Sequence, residues 1–207
     1  MMRKKNDYGY ERMVNRGWRI EMMACDIMLD LEATDSNAKT AGIVSIGAVY
    51  FDIPTQTLGE KFYAEISIKG IQKQLDNGHT LSLSTMQWWL GQSEEARSVW
   101  FANGHEKHDI VNALCLFSEF CQRSGGRPKI WGNGVDYDNV CLRNCYETFN
   151  IGCPWRYSDN RCYRTMKNLF GHRAKLDREG THHQALDDAI TQAQHLLDMM
   201  KGIKGIV

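Results

Sequence analysis

No stretch of the sequence approaches the roughly 18 consecutive apolar residues of a membrane span, and no signal-peptide pattern opens it. A cytoplasmic chain without a membrane partner is therefore expected. Net charge is lacking too, since Lys plus Arg and Asp plus Glu each total 25. A protein that tracks along many phosphates is usually basic, because its affinity comes from counterion release. Neutrality leaves room for a short phosphate footprint in which metal ions, rather than lysines, do the neutralising. The 7 cysteines include no C-x-x-C pair, and Cys141 and Cys145 do not have the close spacing of usual zinc ligands. Reduced, mostly packed thiols follow. Internal repeats and low-complexity tracts are absent, and 207 residues suit one domain with a sizeable core.

What is present centres on Asp30-Leu31-Glu32, inside the run from Cys25 to Thr34. Its Ile, Met and Leu residues, bounded by polar stretches, predict a buried central strand. Side chains alternate along a strand, so Asp30 and Glu32 project from one face. Two buried like charges are costly side by side unless a cation sits between them. A divalent metal is the first working hypothesis, and the rest of the chain must supply further ligands.

Residues Met1 to about Glu21 form a basic N-terminal extension without apolar periodicity, expected to be flexible; residues 22–207 form the compact domain. Gly42 to Asp52 predicts a second strand, Pro54 and Gly59 bracket a turn, and Lys61 to Ile66 alternates as a third, giving an antiparallel meander. Ser84 and Gln87 suggest a capping box opening a helix through Trp88, Trp89 and Leu90. On that helix Leu83, Met86 and Leu90 define the expected buried stripe, with Trp89 flanking it and Trp88 nearly opposite. Further helices are expected over Glu94 to Phe101 and Asp109 to Cys121. Lys129 to Asn133 predicts a short strand followed by a glycine-containing turn, an acid and a helix. That arrangement brings a carboxylate to the C-terminal edge of a sheet. Arg161 to Phe170 reads as a helix, Gly171 to Gly180 as a charged loop, and Thr181 to Ile190 announces a last helix with Ala193, Leu196, Leu197 and Met200 on one side.

The order of these elements describes an RNase H-like α/β architecture: a mixed sheet, a three-strand antiparallel meander plus parallel strands, flanked by helices. The acid-bearing stretches Asp30-Leu31-Glu32, Tyr137-Asp138 and His183-Gln184-Ala185-Leu186-Asp187-Asp188 resemble the DEDDh 3′–5′ exonuclease superfamily. Thr85 to Trp89, Trp131 to Gly134 and Arg161 to Thr165 look like the small exonuclease A family of T-even phages and its prophage and bacterial exoribonuclease relatives. By that pattern Asp138 is preferred over Asp136, Asp188 over Asp187, and His183 over His182. The resemblance implies two Mg²⁺ or Mn²⁺ ions held by Asp30, Glu32, Asp138 and Asp188, with neutral His183 as general base. Four carboxylates suit such hard, oxygen-seeking cations, which clamp the attacking and leaving oxygens of an in-line phosphoryl displacement. It also implies contacts to a nucleic acid 3′ end, DNA or RNA, at Ala33, Thr34, Trp88, Asn133 and Arg164, and a homodimer. From its place opposite the apolar stripe, Trp88 would stack on a terminal base; the alternative is that Trp88 and Trp89 are both core or subunit-contact residues. The expected activity is removal of 5′-mononucleotides from single-stranded or frayed DNA 3′ ends, with an exoribonuclease or a non-catalytic binding partner as the alternatives.

Overall fold

The structure, a computed structural model, describes residues 26–101, 107–123, 125–178 and 180–203. The basic extension expected at Met1 to Glu21 lies outside them. Strands β1 (Asp26–Ala33), β2 (Ile43–Asp52) and β3 (Thr57–Ile66) form the antiparallel meander. β5 (Lys129–Gly132) pairs parallel with β1, and β6 (Asn160–Cys162) parallel with β5. The two-residue β4 (Lys107–His108) closes the far edge, giving the order β4-β3-β2-β1-β5-β6. This is the RNase H-like mixed sheet that the sequence led us to expect.

β1 shows why the sheet has two unlike faces. Ile27, Leu29 and Leu31 enter a core with Ile110, Leu114 and Phe117 of α4 (Ile110–Gln122) and Leu142 and Tyr146 of α5 (Asp138–Thr148). Met28 points the other way, against Tyr163 of α6 (Tyr163–Phe170) and Ala189, Ala193 and Leu196 of α7 (Ala185–Met200). Period-two alternation then places Asp30 and Glu32 on one face, as anticipated, and that face is the one α7 covers.

Gly47 determines how closely α7 can approach. It stands opposite Asp30 in the β1–β2 register. A Cβ on it would lie 2.1 Å from the Ala185 carbonyl carbon and 2.2 Å from the Leu186 nitrogen. The stripe of Ala185, Ala189 and Ala193, all fully buried, continues this close packing along the helix. Small residues on both partners thus bring the first turn of α7 down beside Asp30.

Several local expectations are corrected. Helix α2 (Leu83–Leu90) starts earlier than expected, capped by Ser82, whose Oγ accepts from the Thr85 N–H at 3.4 Å. Its expected buried stripe holds only at Met86, which packs against the core: Leu83 is 84% exposed and Leu90 64%, whereas Trp89 is buried. Trp89 wins because its ring packs edge-on against Trp100 of α3 (Glu94–Phe101) and its Nε1–H reaches the Ala33 carbonyl. The segment read as one helix from Arg161 begins instead as β6, and only Tyr163 onward is helical. Gly59 lies inside β3 rather than in the turn. The sequence reading had no counterpart for α1 (Ile68–Asp76) or β4.

Candidate active site

Three elements converge on one polar cleft of about 250 Å³, lined by Asp30, Glu32, Asp138, Asp188, His183 and Gln192 among others. β1 supplies Asp30 and Glu32, the first turn of α5 supplies Asp138, and the first turn of α7 supplies Asp188. Carboxylate oxygens of Asp30, Glu32 and Asp188 lie within 4.8 Å of one another. Asp136 is exposed, while Asp187 turns back to accept from the Thr181 N–H at 2.7 Å.

These acids strain against one another. Burial, then the charges of Asp138, Glu32 and Asp188, raises the Asp30 carboxyl well above its usual range, against a hydrogen bond from Gln192. Burial, with Asp188 and Asp138 adding, pushes Glu32 up to about 8. Burial also lifts Asp138 to about 7, although the N–H groups of Leu31 and Asn133 and the charge of Arg164 hold it down. Protonation is what such a cluster does without a cation, because like charges this close cannot all ionise in a desolvated site. An all-oxygen donor set of this kind matches Mg²⁺ or Mn²⁺ and is a poor match for zinc. The residues present therefore fit the divalent cations implied by their pattern.

His183 sits at the rim, with a backbone φ of 66°. Its backbone N–H donates to Asp188 Oδ2 at 2.9 Å. Burial lowers its pKa below the ordinary 6.5, His182 and Arg178 adding to the effect and Asp188 opposing it. The ring is held in an aromatic surround: Trp88 meets it edge-on at 4.7 Å, and exposed His182 stacks on it at 3.7 Å.

With this geometry in place, similarity to known proteins can be set beside it. Residues 25–200 match the family described as the 3′-5′ exoribonuclease Rv2179c-like domain. The chain belongs to that family. The exodeoxyribonuclease of Enterobacteria phage T4 is 28% identical over 121 residues, 55% of this chain and 52% of that protein. The chain thus spans about half the length of this curated relative. The nuclease domain of 3′hExo, a DEDDh family member solved with rAMP, superposes with a TM-score of 0.54 at 14% identity, covering 86% of this chain and 92% of that one. E. coli exonuclease I in complex with a dT13 oligonucleotide gives 0.54 at 11% identity, covering 82% of this chain and 39% of its own. At such identities these structures show the fold, and the expected DEDDh resemblance is borne out.

The remaining candidate residues of this Rv2179c-like domain fall in three places. Asn133 and Arg164 line the acid cleft, with Arg164 Nη2 donating to the Asn133 carbonyl at 2.6 Å. Ala33 and Trp88 line an adjoining cavity of about 440 Å³, together with Glu32, Ser84, Trp89 and Tyr137. Thr34 is brought to neither. Its buried hydroxyl accepts from the Gly42 N–H at 2.7 Å and donates to the Thr80 carbonyl at 2.6 Å, so it fastens the loop after β1. Sequence reasoning missed Gln192, whose Nε2 donates to Asp30 Oδ1 at 2.7 Å. Its i+4 offset from Asp188 on α7 was the available signal. Arg178, whose Nη1 meets Asp188 Oδ1 at 2.6 Å, lies in a loop and left no periodic trace.

Proposed function

We propose that the chain is a metal-dependent 3′–5′ exonuclease that removes 5′-mononucleotides from single-stranded or frayed DNA ends. The carrying observation is the convergence of Asp30, Glu32 and Asp188 within 4.8 Å, with Asp138 raised alongside them and His183 at the rim. Asp30, Glu32, Asp138 and Asp188 would hold divalent cations, which would supply Lewis acidity for phosphodiester hydrolysis. The protein's own groups do the rest. Gln192 orients Asp30 through its amide, and the Leu31 and Asn133 N–H groups orient Asp138. His183, kept neutral by burial, takes the proton of the attacking water at an imidazole nitrogen. The terminal nucleoside occupies the adjoining cavity, where Trp88 offers a partly exposed ring to its base.

A second reading, the same reaction on RNA 3′ ends, is favoured by the description of the matched family. The test uses 5′-labelled DNA and RNA oligonucleotides of equal sequence, with Mg²⁺ or Mn²⁺, resolved by length and analysed for nucleotide products. Stepwise shortening from the 3′ end with 5′-monophosphate release supports the proposal, and the faster strand identifies the sugar. Internal cuts, or no metal-dependent cleavage of either strand, would overturn it.

A further inference from the structure

Both oxygens of Asp188 are engaged. Oδ2 accepts from the His183 N–H at 2.9 Å, and Oδ1 pairs with Arg178 Nη1 at 2.6 Å. Among the described residues this is the one ion pair that reaches the acid cluster. Asp188 is only 8% exposed, while the guanidinium side of the pair is open to water. Arg164 also lines the cleft, but it hydrogen-bonds the Asn133 carbonyl rather than a carboxylate.

Arg178 arrives on the loop between α6 and α7. One end of that loop is fixed where the His195 ring nitrogen meets the Ala174 carbonyl at 3.1 Å, the other where Asp187 accepts from Thr181. Arg178 itself keeps a side chain 45% exposed, so it can leave Asp188 toward solvent without unpacking the core. A guanidinium on Asp188 Oδ1 stands among the same oxygens that a dication would need, and two cations there repel.

We propose that Arg178 is an exchangeable counter-ion of the active site, which leaves Asp188 when a divalent cation binds and then reaches a phosphate of the nucleotide in the cleft. The inference rests on the reading of the acid cluster as a metal site. It makes metal and nucleotide binding mutually reinforcing, since each favours the swung-out arginine, and such coupling is reciprocal. Arg178 is thus a positioning residue that links the two.

The test is Mn²⁺ binding, read by the spectroscopic signal of free Mn²⁺, on wild type, Arg178→Gln, Arg164→Gln and Asp30→Asn, without nucleotide and with 5′-AMP. Thermal melting checks that each variant is folded. Arg178→Gln is expected to bind Mn²⁺ about fivefold or more tighter than wild type without nucleotide, and to gain less from 5′-AMP. Arg164→Gln is expected to change Mn²⁺ affinity much less. Unchanged or weaker Mn²⁺ binding in Arg178→Gln would overturn the inference, as would equal tightening in both arginine variants, which would mark a general field effect. If wild type shows no Mn²⁺ site sensitive to Asp30→Asn, the metal reading itself fails. If that site exists and Arg178→Gln leaves it unchanged, only the counter-ion inference fails.

Discussion

The starts of α5 and α7 each carry an aspartate into the same cleft, yet the two carboxylates are held in different ways. Asp138 has the backbone N–H groups of Leu31 and Asn133 beside it, which lower its pKa against the effect of burial. Asp188 is gripped by the Arg178 side chain and by the N–H of His183, whose φ of 66° is unusual for a non-glycine residue. Both carboxylates have backbone donors beside them, but Asp188 alone of the two also pairs with a half-exposed arginine, which can leave without unfolding the strand edge. Under the proposed metal reading, Asp138 is the fixed ligand and Asp188 the adjustable one. The difference traces to topology. β5 runs beside β1 only from Asp26 to Met28, so the end of β1 that carries Asp30 and Glu32 has no β5 partner and opens toward the start of α5. α7 instead follows a long loop, whose residues settle on its first turn.

The largest effect is expected at the fixed side. Asp138→Ala or Asp30→Ala should abolish turnover, a loss of at least about a thousandfold, while circular dichroism stays native. Near-normal rates in either purified variant would remove the basis for calling those ligands fixed. Next comes His183→Ala, which should lower kcat by about a hundredfold or more and change Mn²⁺ affinity far less. In the wild-type enzyme, activity should fall only below the ordinary histidine value of 6.5, since the lowered pKa keeps the base neutral to a lower pH. An acid limb that persists in metal-saturated His183→Ala would assign the base to another group.

Gly47→Ala tests the packing that brings α7 to the cluster. Its Cβ would overlap the Ala185 backbone, so a stability loss of about 1–3 kcal/mol is expected in urea denaturation. Mn²⁺ binding should weaken with it, because Asp188 moves while Asp138 does not. The smallest effect is expected at Trp88→Ala: binding of single-stranded ends weaker by about 1–3 kcal/mol for every base, with little change in melting temperature. An additional fall in kcat would show that the edge contact to His183 matters beyond base stacking.

Strand alternation made Asp30 and Glu32 legible as a pair, whereas Asp138, His183 and Asp188 were legible through their resemblance to the DEDDh pattern. The fold, through β1, α5 and α7, brings all five to one cleft. The sequence left the tryptophan helix misread, because Leu83 and Leu90 obey a 3.6-residue stripe while the actual burial is set by Trp100 and the Ala33 carbonyl, which come from elsewhere in the fold. β6 escaped for a similar reason: Asn160, Arg161 and Cys162 carry no strand pattern and pair because β5 offers an open edge. Gly47 looked like one small residue in a strand. Only the approach of α7 gives it meaning.

The central claim is that this buried cluster is a cation site, and melting temperature against pH tests it most directly. Folded-state values raised to about 8 for Glu32 and about 7 for Asp138 mean that the metal-free fold holds protons which the unfolded chain releases. Its stability is therefore fully present below the ordinary carboxylate range and lost as pH rises through 7 to 8. The melting temperature of metal-free protein should fall between about pH 5 and pH 8, Mn²⁺ should restore it chiefly at the higher pH, and Asp30→Asn should flatten both responses. A metal-free melting temperature no more pH-dependent than that of Asp30→Asn, together with no gain from Mn²⁺ at the higher pH, would contradict the account.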